Sequence, residues 1–161
     1  MIKFYSIHGT YAGFSNFSHH PITLKNKIWK TSEHYFQAQK FAGTFLESAV
    51  RRCKGASDAA RMGRDRNNPL RRDWENVKDN VMRKIVLAKF SQHEDLKKLL
   101  LSTGNEQLVE HTEKDKYWAD GGNGSGKNML GIILMEVRRA LNSPAEMQKY
   151  IDKFNLESEL Y

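Results

Sequence analysis

The segment TSEHYFQAQKF, residues 31–41, mixes aromatic side chains with groups that can bind or transfer protons. On a helix with 100° per residue, Glu33, Gln37 and Lys40 fall within an arc of roughly 60°. A helix at a protein surface normally has a wider charged face, so we expect this narrow polar stripe to line a cleft or to pair in the interior. The stripe would bring Glu33 and Lys40 together, and Gln37 beside them is a candidate substrate ligand.

The position of Glu33 allows two interpretations. In the first turn of a helix, the free backbone N–H groups and the helix dipole favour the charged carboxylate, which would hold the side chain ionised and oriented. Alternatively, Glu33 is a structural carboxylate that caps its own helix and forms a salt bridge with Lys40. The segment alone does not decide between these roles.

A second polar concentration is YWADGGNGSGKN, residues 117–128. Gly121 to Lys127 match the first seven positions of the phosphate loop G-x-x-x-x-G-K, but Asn128 replaces the Ser or Thr that binds magnesium, which argues against NTPase activity. The glycine-rich backbone can still direct N–H groups at an anion, beside a helix expected to begin near Met129. A flexible connection is the alternative interpretation.

Other chemical signatures are few. The loop GFSNFS, residues 13–18, is rich in hydrogen-bonding side chains, so Ser15 and Asn16 are candidate substrate ligands, although a simple turn explains it equally well. The sequence has no H-E-x-x-H motif, no Cys/His ligand spacing, no G-x-S-x-G elbow and no dinucleotide-binding fingerprint. With Cys53 as its single cysteine, the chain cannot form an internal disulfide. We therefore predict neither a metal site nor a redox cofactor.

The composition of the 161 residues, 39% hydrophobic and 28% charged, is typical of one globular domain. A formal net charge of +7 favours anionic partners such as nucleotides, phosphorylated metabolites or nucleic acid. Much of the positive charge falls within residues 51–72, although solvated helix faces would explain it as well. No apolar run reaches the ~18 residues of a membrane span and no signal peptide is evident, so we expect a cytoplasmic protein.

Strand patterns precede a series of helical ones. The segments ITL and KIW, residues 22–24 and 27–29, flank a polar turn and predict a hairpin, while Trp74, Val81 and Ile85 belong to an apolar helical stripe that predicts core. Further strands are predicted near residues 2–6 and 107–112. Helices are predicted over residues 32–43, 45–54, a short segment capped by Ser57, 70–91, 93–102 and 129–141.

Several long motifs occur together and in a fixed order: GFSNFS, TSEHYFQAQKF, ARMGRDR, WENVKDNVMRKIVLAKF and LVEHTEKDKYWADGGNGSGKNMLGIILMEVR. They resemble the NADAR family, and most closely the YbiA-like N-glycosidases within it, over about residues 2–141. Composition and resemblance together imply a helix-dominated α+β domain with a small, mainly antiparallel β-sheet. We expect this domain to cover residues 1–142, with residues 143–161 forming a peripheral helix or tail.

The resemblance also implies an activity, hydrolysis of the bond between a (phospho)ribosyl carbon and an exocyclic amine of a pyrimidine or purine. In YbiA-like proteins the substrates are phosphoribosylamino-pyrimidine intermediates of riboflavin biosynthesis. Relatives in toxin–antitoxin systems remove ADP-ribose from guanine bases. The alternatives are thus a metabolite hydrolase, an ADP-ribosyl-guanine hydrolase acting on DNA or RNA, and a non-catalytic module that binds ADP-ribose or NAD.

For individual residues, the resemblance implies that Glu33 is an essential carboxylate, either as general base or as stabiliser of positive charge at the anomeric carbon. Lys40 would position or tune it, and Asp120 is the candidate for the second acid/base group. No metal or cofactor is required for this chemistry. The remaining candidates, for stacking on the base or neutralising phosphate, are Trp29, Trp118, Arg61, Arg64, Gly126 and Lys127.

Overall fold

The structure, a computed structural model, describes residues 1–157, and positions 158–161 of the predicted tail lie outside the described residues. Within this range, seven α-helices outweigh four short strands, which confirms the predicted helix-dominated α+β fold. The strands are β1 Ile2–Phe4, β2 Ile22–Leu24, β3 Lys27–Trp29 and β4 Leu108–Glu110, and a 3₁₀ turn covers Ala12–Phe14. The helices are α1 Ser32–Gln39, α2 Phe45–Arg51, α3 Ala56–Arg64, α4 Trp74–Gln92, α5 Glu94–Ser102, α6 Met129–Ala140 and α7 Pro144–Phe154.

The four strands form two separate pairs. β2 and β3 form the predicted antiparallel hairpin, with Ile22 opposite Trp29. Its two turn residues, Lys25 and Asn26, have φ angles of 55° and 57°, as a tight hairpin turn that follows the twist of the strands requires. β1 pairs in parallel with β4, placing Ile2 opposite Leu108. This second pair joins the start of the chain to a strand that follows five of the helices.

The helix boundaries depend on local capping. The side chain of Thr31 accepts a hydrogen bond from the backbone N–H of His34 and begins α1, as its sequence predicts. Ser57 was predicted to cap α3, but Gly55 occupies that position and Ser57 lies inside the helix. The fourth helix begins at Trp74 rather than near residue 70, because the backbone N–H of Arg71 bonds to the carbonyl of Lys40 instead of entering a helix.

The hydrophobic core surrounds α4. Val81 and Ile85, members of the predicted apolar stripe, are fully buried where α4 packs against α1 and α6. All eight residues of α1 are buried, including its polar ones. Helix α6 approaches β4 closely at Gly131, where a Cβ atom would lie 2.2 Å from the carbonyl oxygen of Leu108. Helix α4 therefore supports α1 from the core, and helix α6 supports β4.

Helix α7 packs on the outside of this core. The hydroxyl of Tyr150 donates a 2.8 Å hydrogen bond to Glu136 of α6, and the side chain of Asn80 on α4 donates to the carbonyl of Phe154. Among the described residues, no helix is both long and apolar enough to cross a lipid bilayer.

Candidate active site

A cleft of about 1030 Å³ opens between α1, α3, the end of β4 and the loops at residues 5–8, 15–17 and 112–118. It brings together parts of the chain that are distant in sequence, and buried polar side chains line it. Seven of the candidate residues line this cleft together: Ser15, Asn16, Glu33, Gln37, Lys40, Arg64 and Trp118. The structure does not place Trp29, Arg61, Asp120, Gly126 or Lys127 among the lining residues.

Glu33 is the most deeply placed acid of the cleft, with 5% of its surface exposed. Nε2 of Gln37 donates a 2.7 Å hydrogen bond to Oε1 of Glu33. The backbone N–H of Glu33 donates to the carbonyl of Asn16, which ties the loop at residues 15–17 to the start of α1. The side chain of Glu33 is thereby held in one place at the cleft wall.

Burial raises the pKa of Glu33, and the Gln37 hydrogen bond and the charges of Arg64 and Lys40 oppose that rise. Desolvation thus acts against the ionised form that the first helical turn was expected to favour, and it is the largest single effect on this carboxyl group. Among the salt bridges of residues 1–157 there is none between Glu33 and Lys40. The structural interpretation based on that salt bridge is not supported.

Lys40 lies at the C-terminal end of α1. Its Nζ donates a 3.3 Å hydrogen bond to the carbonyl of Gly63 and lies 5.8 Å from the ring centres of Phe36 and Trp74. Burial, followed by the positive charge of Arg66, lowers the pKa of Lys40 to about 8. At neutral pH Lys40 is still mostly protonated, so it places a positive charge at an aromatic wall of the cleft.

Gln37 is fixed by close packing against α3. A Cβ atom at Gly63 would lie 2.0 Å from Oε1 of Gln37 and 2.8 Å from its Cβ, so only glycine allows this approach. Oε1 of Gln37 is buried and has no hydrogen-bond partner among the described residues, while Nε2 is committed to Glu33. The amide of Gln37 therefore acts on Glu33 as a donor.

The remaining lining residues form the sides of the cleft. The indole of Trp118 makes an edge contact with Phe36, with ring centres 5.3 Å apart. Nδ2 of Asn16 lies 3.4 Å from the sulfur of Met82, and the carbonyl of Ser15 accepts a hydrogen bond from the buried Lys89. These contacts give the cleft an aromatic side and a polar side.

Two of the five candidates that do not line the cleft, Trp29 and Arg61, are engaged in other parts of the structure. Trp29 is completely buried, and its Nε1 donates to the carbonyl of Leu24 while its ring packs edge-on against Tyr35. It belongs to the core and cannot stack on a substrate there. Arg61 is largely exposed, pairs with Asp58 at 3.2 Å and lines a separate, more open concavity of about 800 Å³.

Asp120 is a structural residue of the glycine-rich turn. Its carboxylate is hydrogen-bonded to Nδ1 of His111 at 2.7 Å and accepts from the backbone N–H groups of Thr112 and Gly122. These bonds, the His111 bond foremost, lower the pKa of Asp120. A carboxylate so engaged outside the cleft is unsuited to the predicted role of second acid/base group.

The predicted anion site of the glycine-rich turn is filled by the protein's own backbone. The N–H of Gly126 donates to the carbonyl of Asp120, and that of Lys127 donates to the carbonyl of Lys116. The first N–H groups of α6 are likewise bonded to the carbonyls of residues 117–119. Since these donors already have acceptors, the backbone N–H groups of Gly126 and Lys127 are not free to bind substrate phosphate.

Sequence reasoning missed Glu110, the last residue of β4, which lines the cleft together with Glu33. Asn128 holds this strand end: its Oδ1 accepts from the backbone N–H of Glu110 and its Nδ2 donates to the carbonyl of Leu108. Burial, followed by the charges of Asp115 and Glu33, raises the pKa of Glu110 to about 8. Its acidic type within the strand predicted near residues 107–112 was visible, but the pairing of that strand with β1 was not.

Known proteins match the chain over nearly the same residues. The NADAR domain family matches residues 3–142. The chain belongs to the NADAR family. It is 55% identical over 141 residues to the N-glycosidase YbiA of Escherichia coli K12, covering 88% of each protein. The NMR structure of the E. coli protein YbiA superposes with a TM-score of 0.80 at 53% identity, covering 94% of this chain and 86% of the other.

More distant NADAR relatives have similar names. An N-glycosidase of Nostoc punctiforme is 43% identical over 145 residues, covering 88% of this chain and 93% of the relative. A riboflavin biosynthesis protein of Vibrio vulnificus is 40% identical over 160 residues, which are 98% of this chain but 44% of that longer protein. Every residue that lines the cleft falls inside the NADAR match.

The cleft of this NADAR chain therefore combines three carboxyl groups, Glu33, Glu110 and Asp115, with nearby cations and an aromatic side. Carboxyl groups in different surroundings allow one to accept a proton while the other donates one. Transfer of a sugar from a nitrogen atom to water needs both functions and a surface that accepts a planar base.

Proposed function

We propose that this protein hydrolyses the bond between a (phospho)ribosyl carbon and an exocyclic amine of a pyrimidine or purine, with Glu33 as the essential carboxylate. The observation that carries the proposal is the buried Glu33 side chain, fixed by Gln37 at the wall of a cleft large enough for a nucleotide-sized ligand. Its class as an enzyme, a hydrolase of the N-glycosidase type, is confirmed by the 55% and 43% identical relatives named N-glycosidases.

The preferred substrates are the phosphoribosylamino-pyrimidine intermediates of riboflavin biosynthesis. Relatives named riboflavin biosynthesis proteins support this choice, one from Vibrio vulnificus at 40% identity and one from Zea mays at 37% identity. The chain corresponds to 44% and 25% of these two longer proteins. A match to part of two longer proteins named for riboflavin biosynthesis supports action on an intermediate of that synthesis.

Cleavage requires a water molecule and generates positive charge at the anomeric carbon as the carbon–nitrogen bond breaks. Glu33 is placed to accept a proton from that water and to stabilise the developing charge. Trp118 offers an aromatic surface for the base, and Arg64 and Lys40 offer positive charge for the phosphate. The products are the free heterocyclic amine and a ribose phosphate with a hydroxyl at the anomeric carbon.

Incubation of the purified protein with two substrates tests this function. One is a phosphoribosylamino-pyrimidine and the other is an oligonucleotide with ADP-ribosylated guanine. Chromatography with mass detection should show ribose phosphate and free amine released in equal amounts from the first. Release of ADP-ribose alone would redirect the function to guanine repair, and binding of either substrate without any release would indicate a non-catalytic module.

A further inference from the structure

The carboxyl group of Glu110 differs from the neighbouring acids in having no partner. Glu33 accepts a hydrogen bond from Gln37, and Asp120 is held by His111 and two backbone N–H groups. Asp115 accepts from the N–H groups of residues 117 and 118. Within residues 1–157, no hydrogen bond or salt bridge engages the side chain of Glu110, although its backbone is fixed on both sides by Asn128 and β1.

The surroundings of Glu110 disfavour its charged form. Its side chain is mostly enclosed, and the three charges that act on it most strongly are the acids Asp115, Glu33 and Asp120. The cations that line the same cleft, Lys40, Arg64 and Lys114, form no ion pair with it. A carboxyl group without donors and among other acids keeps its proton to higher pH, in agreement with the raised pKa of Glu110 described above.

We propose that Glu110 is the general acid of the reaction, which donates its proton to the leaving amine nitrogen while Glu33 serves the attacking water. This assignment rests on the proposed N-glycoside hydrolysis. Glu110 thereby takes the role first expected of Asp120, whose carboxylate oxygens already accept hydrogen bonds. It assigns opposite proton-transfer roles to two carboxyl groups that line one cleft but come from α1 and β4.

The proton balance of the step is complete. As the bond between the anomeric carbon and the nitrogen breaks, its electron pair goes to the nitrogen, which takes the proton of Glu110. Water adds its oxygen to the anomeric carbon and transfers one proton to the Glu33 carboxylate. The amine and the ribose leave, and proton exchange with solvent returns Glu110 to its protonated form and Glu33 to its ionised form.

This assignment predicts a specific pH dependence. The reaction needs Glu110 protonated, so kcat/KM of the wild type should fall as pH rises through about 8, the pKa of Glu110. In Glu110→Gln, kcat for the amine substrate should fall by roughly 100-fold or more, as loss of a general acid typically causes, and the basic limb should disappear from the residual activity. Glu110→Asp should retain a basic limb with lower activity.

The dependence on the leaving group separates proton donation from general damage. A 4-nitrophenyl ribofuranoside 5-phosphate releases a stable nitrophenolate and needs no proton, so Glu110→Gln should cleave it nearly as fast as the wild type. Glu33→Gln should lose activity on both substrates. If the wild type does not accept the nitrophenyl compound, the pH profiles on the amine substrate decide.

The outcomes distinguish the inference from the function on which it rests. An unchanged basic limb in Glu110→Gln, or an equal loss on both substrates, would overturn the role of Glu110 while leaving Glu33 and the proposed function intact. Full activity of Glu33→Gln, or no cleavage by the wild type, would instead overturn the proposed function. Thermal unfolding and product binding of each variant show whether Glu110→Gln retains the folded cleft.

Discussion

Gln37 donates a 2.7 Å hydrogen bond to Glu33 from one turn further along the same buried helix. This donor opposes the desolvation that raises the pKa of Glu33. The pair thus explains how a carboxyl group with 5% exposure can still reach its ionised form. The narrow polar stripe of α1 therefore contains both the acid and the hydrogen-bond donor that lowers its pKa.

Replacing Gln37 with Leu should therefore raise the pKa of Glu33. A base must be ionised to act, so the acidic limb of kcat/KM should move to higher pH and activity near neutral pH should fall by about tenfold. The matched control is Gln148→Leu, because Gln148 donates a similar 2.8 Å bond to Asp152 at the same spacing on the exposed α7. An acidic limb that stays in place in Gln37→Leu would contradict this role.

Gly63→Ala tests the packing that holds this donor. The added methyl would lie 2.0 Å from Oε1 of Gln37, so α3 or Gln37 must move. We expect a loss of about 1–3 kcal/mol in the free energy of unfolding, typical of overpacking, together with reduced activity. Denaturant unfolding and kcat/KM are measured beside Asp58→Ala, a change on the same helix outside the cleft. Wild-type values for Gly63→Ala in both assays would refute the contact.

Arg64 and Lys127 make a second matched pair. Arg64 lines the cleft, whereas the backbone around Lys127 is bonded within the glycine-rich turn and its Nζ lies 5.2 Å from the ring of Tyr117. Arg64→Ala should raise KM for a phosphorylated substrate about tenfold, in line with loss of a charge-assisted contact. Lys127→Ala should change KM less than twofold. A larger rise in KM for Lys127→Ala than for Arg64→Ala would instead indicate that the glycine-rich turn is the anion site.

Lys89 predicts a pH dependence of stability. It is almost fully buried, donates to the carbonyl of Ser15, and burial lowers its pKa to about 7. Between that value and the ordinary lysine pKa of roughly 10.4, the unfolded chain binds more protons, so this residue makes unfolding harder as pH rises. The stability of the wild type relative to Lys89→Met should therefore rise between pH 7.5 and 9.5, by at most about 1.4 kcal/mol per pH unit.

Urea unfolding of both proteins at several pH values measures this difference. Using the difference removes contributions that both proteins share, including that of Glu110, whose raised pKa acts in the opposite direction below pH 8. A stability difference that is flat over this range would show that Lys89 is not held neutral in the folded protein.

Local features of the fold were predictable from the sequence because neighbouring residues determine them. The β2–β3 hairpin follows from alternating strand residues around Lys25 and Asn26, and Thr31 specifies the start of α1 through its own side chain. The same local logic placed Glu33, Gln37 and Lys40 on one face, and the structure places them in one cleft. The periodicity of the sequence therefore predicts contacts between residues that are close together in the chain.

The remaining features depend on contacts between distant segments. The parallel pairing of β1 with β4 brings Glu110 to the cleft, and no repeat in the sequence encodes that pairing. The glycine-rich turn has the composition of an anion site, yet its N–H groups bind nearby carbonyls, including that of Asp120, a competition that composition cannot reveal. Trp29 likewise has the type of a stacking residue, but the hairpin directs it into the core.

The role of Glu33 as the essential carboxylate is tested by comparing wild-type protein and Glu33→Gln for turnover and binding of a phosphoribosylamino-pyrimidine. Glu75→Gln, at an exposed position outside the cleft, is the control. Glu33→Gln should bind the substrate with an affinity within a few-fold of the wild type but release ribose phosphate at least 100-fold more slowly. Release of ribose phosphate at the wild-type rate by Glu33→Gln would contradict this role.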